Sequence, residues 1–147
     1  ENLVILETNI DDMSGEIYSY LFPKLLNNGA KDVYLNNIIM KKNRPAQKLN
    51  VLCSRDNVKN LEKIIFKETT TLGIREIEVN RNCLERKYID FDSSLGEVKI
   101  KAAYYEGELL KFSPEYEDCA ELAEEKGLPI LDVFETVKRE AAEKLFN

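Results

Sequence analysis

Residues 33–53, VYLNNIIMKKNRPAQKLNVLC, contain two apolar segments on either side of a basic stretch. The first segment, residues 33–40, and the second, residues 49–53, each have the length and apolar character of a strand. Between them, residues 41–48 include Pro45, a residue that favours turns. We therefore predict a β-hairpin here, and the elements on either side of it decide the fold.

The segment before this hairpin predicts a strand followed by a helix. Residues 3–6 form a short apolar run of the kind that a buried strand shows. The helix is expected to begin after an N-cap at Asp12 or Ser14 and to end at residues 28–29, with a kink at Pro23. Its apolar side chains recur at helical spacing: Ile17, Tyr18, Leu21, Phe22 and Leu25.

The segment after the hairpin predicts a second helix and a fourth strand. The helix runs over residues 58–68, and the strand carries Ile77, Val79 and Cys83 in alternation with polar residues. The resulting order β-α-β-β-α-β is that of the ferredoxin-like fold, in which two helices cover one face of an antiparallel sheet. We expect residues 1–85 to form such a core in a protein of the α+β class.

The remaining residues, 86–147, predict a β-hairpin extension followed by two helices, packed with the core as one compact domain. Proline at a first-turn position opens each helix, at Pro114 and at Pro129, and Gly127 ends the first of them. The second helix is expected to reach Leu145. The extension contains three further predicted strands: residues 88–91, 98–104 and 109–112.

The composition excludes several classes of protein. Of the 147 residues, 44% are hydrophobic and 33% are charged, a balance that disordered and low-complexity chains lack. No run approaches the roughly eighteen apolar residues that a transmembrane helix needs, and the N-terminal residues lack a secretory pattern. We therefore expect a soluble, cytoplasmic protein with no membrane partner.

The charge is unevenly distributed along the chain. The net charge is −6, and all of it comes from residues 113–147, because acids and bases balance in residues 1–112. A chain with this overall charge is a poor binder of duplex DNA, which requires neutralisation of phosphates, so no nucleic-acid partner is expected. Residues 41–48 nevertheless contain four bases and no acid, which leaves a local polyanion site open.

Two residue types restrict the possible chemistry. The chain has no histidine, which excludes Ser-His-Asp and Cys-His catalysis and every histidine-containing metal site. Its three cysteines, Cys53, Cys83 and Cys119, lie far apart and are expected to be reduced. A bound metal ion would therefore be held by oxygen ligands or by a thiolate.

An acidic segment, residues 11–16, lies between the first strand and the first helix. Asp11 and Asp12 can hold a divalent cation, and the free N–H groups of the helix start, beside Ser14 and Gly15, can bind an anion. Both interactions occur together if the ligand is a metal–phosphate complex. The simpler alternative is that these residues only cap the helix.

Positive charges suited to phosphate occur in the basic turn, which we define as residues 41–48. Lys41 and Lys42 supply point charges, and Arg44 supplies a planar guanidinium that can form two parallel hydrogen bonds with a phosphate. The alternative is a solvated hairpin tip without a ligand.

The threonine loop, residues 69–73, follows the second helix. Three consecutive β-branched residues, Thr69, Thr70 and Thr71, disfavour a helix end unless their hydroxyls have a role. Together with the glycine of this loop and with Arg75, they can form a phosphate cradle. In the alternative, the helix frays into a loop whose hydroxyls bond backbone carbonyls.

A further group of acidic residues surrounds the helix start predicted at residues 113–118, SPEYED. Ser113 is expected to cap this helix, and the acids that follow complement its dipole. The three carboxylates and the tyrosine of this segment can alternatively bind a metal, ribose hydroxyls or a base: Glu115, Glu117, Asp118 and Tyr116. Taken alone, none of the four polar segments identifies a function.

Four segments in this order resemble the C-terminal domain of the LarC family of nickel insertion proteins. They are residues 7–16 (ETNIDDMSGE), 40–45 (MKKNRP), 66–75 (FKETTTLGIR) and 113–119 (SPEYEDC). The resemblance extends over nearly the whole chain, and four motifs in sequence are far more specific than any one of them.

The resemblance implies a cyclometallase, a CTP-dependent nickel insertase of the lyase class. Members of the family insert nickel into a pyridinium bis-thiocarboxylate mononucleotide while CTP is hydrolysed to CMP and pyrophosphate, which completes the nickel-pincer nucleotide cofactor of lactate racemase. The C-terminal domain is the part associated with metal-bound CTP. Because family members have an additional N-terminal region, we expect this chain to be a fragment that binds nucleotide without completing the reaction alone. Its expected partners are that region, CTP, the pyridinium precursor and further copies of itself.

Under this resemblance we assign Asp11 and Asp12 to Mg²⁺ or Mn²⁺. We assign catalysis to three bases, Lys42, Arg44 and Arg75, which stabilise charge as the bond between the α and β phosphates breaks. The competing hypothesis is a non-catalytic ferredoxin-like module for oligomerisation or small-anion sensing. The residues assigned to CTP binding are Ser14, Gly15, Lys41, Lys42, Arg44, Thr69, Thr70, Thr71, Arg75, Glu115 and Tyr116.

Overall fold

Seven strands and four helices form a mixed α+β arrangement in the computed structural model, which describes residues 2–146. The α+β class predicted from the sequence is therefore confirmed. The chain divides into two units, Glu1–Asn82 and Cys83–Asn147, each with a sheet of its own. That the two parts pack as one compact domain stays a prediction.

Six elements make up the first unit: β1 (Asn2–Ile10), α1 (Glu16–Asn27), β2 (Asp32–Met40), β3 (Arg44–Ser54), α2 (Val58–Glu68) and β4 (Arg75–Asn80). They follow the order β-α-β-β-α-β that the sequence predicts. The strands form an antiparallel sheet in the order β2-β3-β1-β4. A short 3₁₀ turn, Lys41–Asn43, joins β2 to β3.

A single apolar core joins both helices of the first unit to its sheet. Strand β1 contributes Val4, Leu6 and Ile10, which stand at even positions and therefore share one face of the sheet. Both helices cover that face, because their buried residues recur one turn apart and belong to the same core. The helical members of this core are Tyr18, Leu21 and Leu25 of α1 and Val58, Leu61 and Ile65 of α2.

Strand β1 is longer than predicted. The sequence placed only residues 3–6 in the strand, but the strand continues through the polar residues to Ile10. Thr8 and Ile10 lie on the helix-covered face and are 1% and 4% exposed, whereas Glu7 and Asn9 face the other side. The extension is stable because residues from the neighbouring strands β3 and β4 pair with it.

Pro45 lies inside β3 and is not part of the predicted turn. Strand β3 begins at Arg44, and Pro45 pairs with Ile39 of β2. On its other side, β3 pairs with β1 only from Gln47 onward, where the partner is Ile10. Pro45 thus has one neighbouring strand, and a residue without a backbone N–H is tolerated where one side of a strand is free.

The second unit contains a three-stranded antiparallel sheet and two helices. Its elements are β5 (Glu85–Ser93), β6 (Gly96–Tyr105), β7 (Glu108–Pro114), α3 (Tyr116–Lys126) and α4 (Ile130–Leu145). A separate apolar core includes Phe91, Ile100, Cys119, Val133 and Val137. Gly127 ends α3 and Pro129 precedes α4, as predicted. Among residues 2–146, no helix has the length and apolar character needed to cross a membrane.

The predicted start of α3 at Ser113 and Pro114 is wrong. Pro114 is the last residue of β7 and pairs with Ile100, and the N–H of Glu115 still donates to the carbonyl of Lys99 at 2.8 Å. The sheet therefore holds the chain extended past Ser113, and Glu115 occupies the N-cap position of α3.

The fourth strand ends before Cys83, contrary to prediction. Asn80, its last residue, pairs with Asn2, the first residue that the structure describes. No disulfide links the three cysteines, and Cys53 and Cys119 are buried whereas Cys83 is exposed. Burial raises the pKa of the Cys53 and Cys119 thiols, which disfavours the thiolate form that a metal requires.

Candidate functional site

The acidic segment, the basic turn and the threonine loop leave the first sheet at one end. In an antiparallel sheet, the ends of β1 and β2 lie beside the starts of β3 and β4. The basic turn joins the end of β2 to β3, and the threonine loop leads into β4. The strand register shows this arrangement through three cross-strand pairs: Ile10 with Gln47, Met40 with Arg44, and Glu7 with Arg75.

The acidic segment contacts both of the other segments. Thr70 donates its hydroxyl proton to Oδ1 of Asp12 at 2.5 Å. Arg44 donates through Nη1 to Oδ2 of Asp11 at 3.3 Å. Each carboxylate thus uses one oxygen in a contact with a segment that is distant in the sequence. The structure therefore brings together four of the residues that the sequence analysis selected.

Two of the three hydroxyls in the threonine loop contact regular secondary structure, one in α2 and one in β1. Thr69 donates to the carbonyl of Ile65 at 2.7 Å, and Thr71 Oγ1 lies 2.5 Å from Oγ1 of Thr8. These contacts agree with the alternative of a helix end that is stabilised by hydroxyl hydrogen bonds. Thr70 differs from its neighbours because it is exposed and faces the acidic segment.

The basic turn has a strained backbone and two unpaired cations. Lys42 and Asn43 have φ angles of 61° and 57°, a left-handed conformation that is uncommon for residues other than glycine. Lys41 and Lys42 are exposed, and the side chain of neither lysine forms a hydrogen bond or ion pair within residues 2–146. Their charges are therefore available to a ligand, whereas the half-exposed Arg44 already contacts an aspartate.

Arg75 is held by strand β1 on the face opposite the helices. Its Nε donates to Oε2 of Glu7 and its Nη2 donates to Oδ1 of Asn9, both at 2.8 Å. Lys48 lies 2.8 Å from the other oxygen of Glu7. The hydrogen bonds from Lys48 and then Arg75 hold the pKa of Glu7 below its ordinary value, against the opposing effect of burial. The carboxylate of Glu7 thus fixes Arg75 and compensates part of its charge.

Glu7 and Asn9 belong to this site, but no role was predicted for them from the sequence. Their role depends on the register that places Arg75 opposite Glu7, which no local pattern reveals. The available signal was their position in the motif ETNIDD, residues 7–12, directly before the two aspartates.

A cavity of about 410 Å³ lies beside the acidic segment and was not predicted. Asp11 and Gly15 line it at one side, and Asn37 and Gln47 contribute amides that hydrogen-bond to each other at 2.8 Å. Its apolar walls include Tyr18, whose pKa is raised by burial and by the nearby Asp12. The remaining apolar lining residues are Ile10, Met13, Ile38, Ile39, Pro45 and Ala46.

The predicted N-cap of α1 is wrong. Gly15, and neither Asp12 nor Ser14, occupies the N-cap position, and Asp12 instead accepts the hydrogen bond from Thr70. Ser14 Oγ accepts weakly from the N–H of Glu16 at 3.4 Å. No heavy atom lies within 4 Å of the position that a Cβ on Gly15 would take, so the helix start is open to a ligand.

Glu115 and Tyr116 lie in the second unit, and their assignment to CTP stays a prediction. Glu115 Oε1 accepts a hydrogen bond from Lys101 Nζ at 2.7 Å, and this contact raises the pKa of Lys101. Tyr116 is 62% exposed at the start of α3. The structure thus gives Glu115 an ion-pair partner and leaves Tyr116 accessible.

Comparison with known proteins decides the family. The family model described as "Nickel insertion protein" matches residues 1–134. The chain belongs to this family. The resemblance to the LarC family, inferred from four sequence segments, is confirmed.

Members of the nickel insertion family from several organisms are similar to this chain, and they bear the name pyridinium-3,5-bisthiocarboxylic acid mononucleotide nickel insertion protein. The Thermotoga petrophila protein is 40% identical over 143 residues, which cover 97% of this chain and 36% of that protein. The Clostridium acetobutylicum protein is 44% identical over 140 residues, which cover 95% and 33%. The chain spans about a third of the length of these relatives.

Two solved structures of similar proteins share the fold. One is the apo form of the C-terminal domain of a cyclometallase involved in the synthesis of the NPN cofactor of lactate racemase. It matches with a TM-score of 0.88 and 37% identity over 95% of this chain and 98% of that domain. The other, a protein from Methanopyrus kandleri, matches with a TM-score of 0.73 and 26% identity over 95% and 85% of the two chains. This member of the nickel insertion family thus corresponds to a C-terminal domain.

Proposed function

We propose that this chain is the part of a nickel insertion enzyme that binds a nucleoside triphosphate with a divalent cation. The complete enzyme inserts nickel into a pyridinium bis-thiocarboxylate mononucleotide with hydrolysis of CTP, and nickel is its substrate. The observation that supports the proposal most is the convergence of the acidic segment with the basic turn and the threonine loop, through Asp11 with Arg44 and Asp12 with Thr70. Acids for a cation thereby stand beside bases and hydroxyls for phosphate.

The donor set fits a cation that arrives with a polyphosphate. Mg²⁺ commonly takes one or two carboxylates and completes its coordination with phosphate oxygens and water. Asp11 and Asp12 supply such a pair, and within residues 2–146 no three acids or thiols are grouped as a metal site. We therefore propose Mg²⁺ or Mn²⁺ bound together with CTP, and this cation neutralises phosphate charge when bound.

The proposed roles of the other residues follow from their contacts. Lys41 and Lys42, which are unpaired in the described structure, bind phosphate oxygens, and Arg44 exchanges its contact with Asp11 for one with phosphate. Arg75, oriented by Glu7, stabilises negative charge that develops as the bond between the α and β phosphates breaks. The N–H groups beside Ser14 and Gly15 and the hydroxyl of Thr70 complete the proposed phosphate site, and Thr69 and Thr71 shape it through their contacts with Ile65 and Thr8. The assignment of Glu115 and Tyr116 to CTP stays a prediction.

The proposal includes the architecture and the partners of the chain. We assign the first unit to the ferredoxin-like fold, which is supported by its strand order β2-β3-β1-β4 and by two helices on one face. The proposed partners are CTP, the pyridinium precursor, the rest of a longer protein and further copies of this chain. The proposed location is the cytoplasm.

Thermal unfolding with nucleotide tests the proposal. CTP with Mg²⁺ is expected to raise the melting temperature of the chain, because a ligand that binds only the folded state stabilises it. Asp12→Asn or Lys42→Ala should abolish the shift, while Lys63→Ala, which removes an exposed lysine from α2, should preserve it. The absence of a shift with every nucleoside triphosphate would contradict the proposal. If light scattering detects an oligomer whose size does not change when nucleotide and metal are added, the hypothesis of a non-catalytic module is favoured instead.

A further inference from the structure

Thr8 is a buried polar residue in an apolar environment. It is 1% exposed, and its neighbours on the same face of β1, Leu6 and Ile10, are members of the apolar core. Valine has almost the same shape and would fill this position without a hydroxyl. A buried hydroxyl is unfavourable unless it is hydrogen-bonded, so its partners indicate why threonine stands here.

Both partners of the Thr8 hydroxyl belong to the threonine loop. Thr8 Oγ1 lies 2.8 Å from the carbonyl oxygen of Gly73 and 2.5 Å from Oγ1 of Thr71. Thr71 Oγ1 is farther from the same carbonyl, at 3.1 Å. We therefore infer that Thr8 donates to Gly73 and accepts from Thr71, because each hydroxyl has only one proton.

These contacts fix one end of the threonine loop, and a second contact fixes the other end. Thr69 donates to the carbonyl of Ile65 in the last turn of α2. Thr70, between the two fixed points, is exposed and reaches Asp12 across 58 residues of sequence. The Thr70 hydroxyl thus lies between two threonines whose own hydroxyls are engaged in hydrogen bonds within the protein.

We propose that Thr8 is a positioning residue for the nucleotide-binding site. Its hydroxyl holds Thr71 and Gly73 from within the core and thereby presents Thr70 to Asp12 and to the phosphate ligand. This inference rests on the proposed function, and it adds a residue of β1 that touches neither metal nor nucleotide. When a site is already ordered before the ligand binds, less of the binding free energy is lost to ordering the loop.

The test compares two substitutions at Thr8 with a control elsewhere in the core. Thr8→Val removes the hydroxyl at nearly constant volume, and Thr8→Ser keeps it. Val51→Ala is the matched control, because Val51 is buried in the same core but lies in β3, where it pairs with Leu6 of β1 and Val33 of β2. The affinity for CTP with Mg²⁺ is measured by isothermal titration calorimetry, and the melting temperature of each variant is measured without ligand.

We expect Thr8→Val to weaken binding by about tenfold and Thr8→Ser to restore most of the affinity. Val51→Ala should bind like the unaltered protein even though it lowers the melting temperature. Two results would overturn the inference about Thr8 and leave the proposed function standing. One is an affinity that falls in proportion to stability in both Thr8→Val and Val51→Ala, and the other is an unchanged affinity in Thr8→Val. Absence of binding by the unaltered protein would overturn the proposed function and the inference together.

A second variant covers the case in which Thr8→Val does not fold. Thr71→Val breaks the hydrogen bond between Thr8 and Thr71 by a change in the loop, and it leaves Thr8 in the core unaltered. Its affinity should fall by a smaller factor, because the hydrogen bond from Thr8 to Gly73 remains, and the double variant should lose less than the sum of the two single losses, because both changes break the hydrogen bond between Thr8 and Thr71. Additive losses would show that the two hydroxyls act independently and would overturn the inference.

Discussion

Lys42 and Asn43 occupy the left-handed backbone region at the tip of the hairpin between β2 and β3, with φ angles of 61° and 57°. Such a conformation costs a residue like lysine roughly 1–2 kcal/mol, whereas asparagine tolerates it better, so at Lys42 it persists only where the surroundings impose it. Lys42 and its neighbour Lys41, whose side chains have no partner within residues 2–146, lie at the same end of the sheet as Asp11 and Asp12. The strain therefore coincides with the residues proposed to bind phosphate.

The conformation of Lys42 leads to a prediction about stability. Lys42→Val should lower the free energy of unfolding by about 1–2 kcal/mol, because a β-branched residue is least tolerant of the left-handed region. Lys41→Val changes a neighbouring exposed lysine that does not have a positive φ, and its effect should stay within about 0.5 kcal/mol. Urea unfolding of both variants measures the difference. Equal effects at the two positions would contradict a strained turn.

The lowered pKa of Glu7 predicts how the stability of the folded protein depends on pH. Its pKa lies below the ordinary value of 4.5 in the folded protein, first through the hydrogen bond from Lys48 and also through Arg75. The ionised form is thus favoured by folding, so its contribution is complete above about pH 5 and is lost as the pH falls through the lowered pKa. Glu7→Gln should lower the stability by about 1 kcal/mol at neutral pH, and the difference should vanish in acid.

Urea unfolding between about pH 3 and pH 7 tests this expectation for Glu7. The control is Glu125→Gln, because Glu125 is 68% exposed and, within residues 2–146, pairs with no residue but the adjacent Lys126. This variant should match the unaltered protein across the whole range. A constant difference between Glu7→Gln and the unaltered protein at all pH values would contradict the assigned role.

Residue chemistry in the sequence indicated part of the site. Asp11, Asp12 and Lys42 stand out through charge in a polar segment or turn, and the β-branched run drew attention to Thr70. Glu7 and Asn9, like Asn37 and Gln47, act through cross-strand neighbours and not through a local pattern. Their contacts follow from the sheet register, which depends on residues that are distant in sequence.

At the scale of elements, two helix ends differ in how much space surrounds their glycine. Gly127 ends α3 with a φ of 65°, and no heavy atom lies within 4 Å of the position that a Cβ would take there. Gly29, with a φ of 95°, faces the amide of Asn57. Asn57 also donates a hydrogen bond to the carbonyl of Asn28 at 2.8 Å. A side chain at Gly29 would therefore disturb both the backbone and this contact.

We predict that Gly127→Ala lowers the free energy of unfolding by about 1 kcal/mol, which is the cost of the backbone conformation alone. Gly29→Ala should cost more, about 2 kcal/mol, because it also displaces Asn57. Chemical denaturation of the two variants provides the comparison. A larger loss at Gly127 than at Gly29 would contradict this account of the helix ends.

Element types were more predictable than element boundaries. Helix α2 matches the predicted residues 58–68 because its apolar periodicity is regular. Strand β1 continues four residues beyond its apolar run, since Glu7 and Asn9 have partners on neighbouring strands. Proline was misleading at Pro45 and Pro114, where a local preference for a turn or a helix start was overridden by strand pairing.

At the scale of the whole molecule, residues 2–146 form two apolar cores. The first joins β1, β2, β3, α1 and α2, and the second joins the three-stranded sheet to α3 and α4. All three segments of the proposed phosphate site lie in the first unit. A fragment that ends at Asn82 would contain both the first core and these segments.

We predict that the fragment of residues 1–82 folds cooperatively. Its core includes the fully buried Leu21, Leu49, Leu61 and Ile65, and domains of this size can fold without other parts of a chain. A single sigmoidal transition in urea, followed by circular dichroism, is the expected result. Leu61→Ala should lower the stability of the fragment by about 2–5 kcal/mol. A fragment without a cooperative transition would contradict the prediction.

The convergence of acids, bases and hydroxyls at one end of the first sheet is most directly tested by a crystal structure with CTP and Mn²⁺. Anomalous scattering would locate the metal ion without reference to any assumed ligand. We predict a Mn²⁺ peak at Asp11 or Asp12, with the triphosphate in contact with Lys42 and Thr70. A metal and nucleotide bound elsewhere, with these four side chains unchanged, would contradict it.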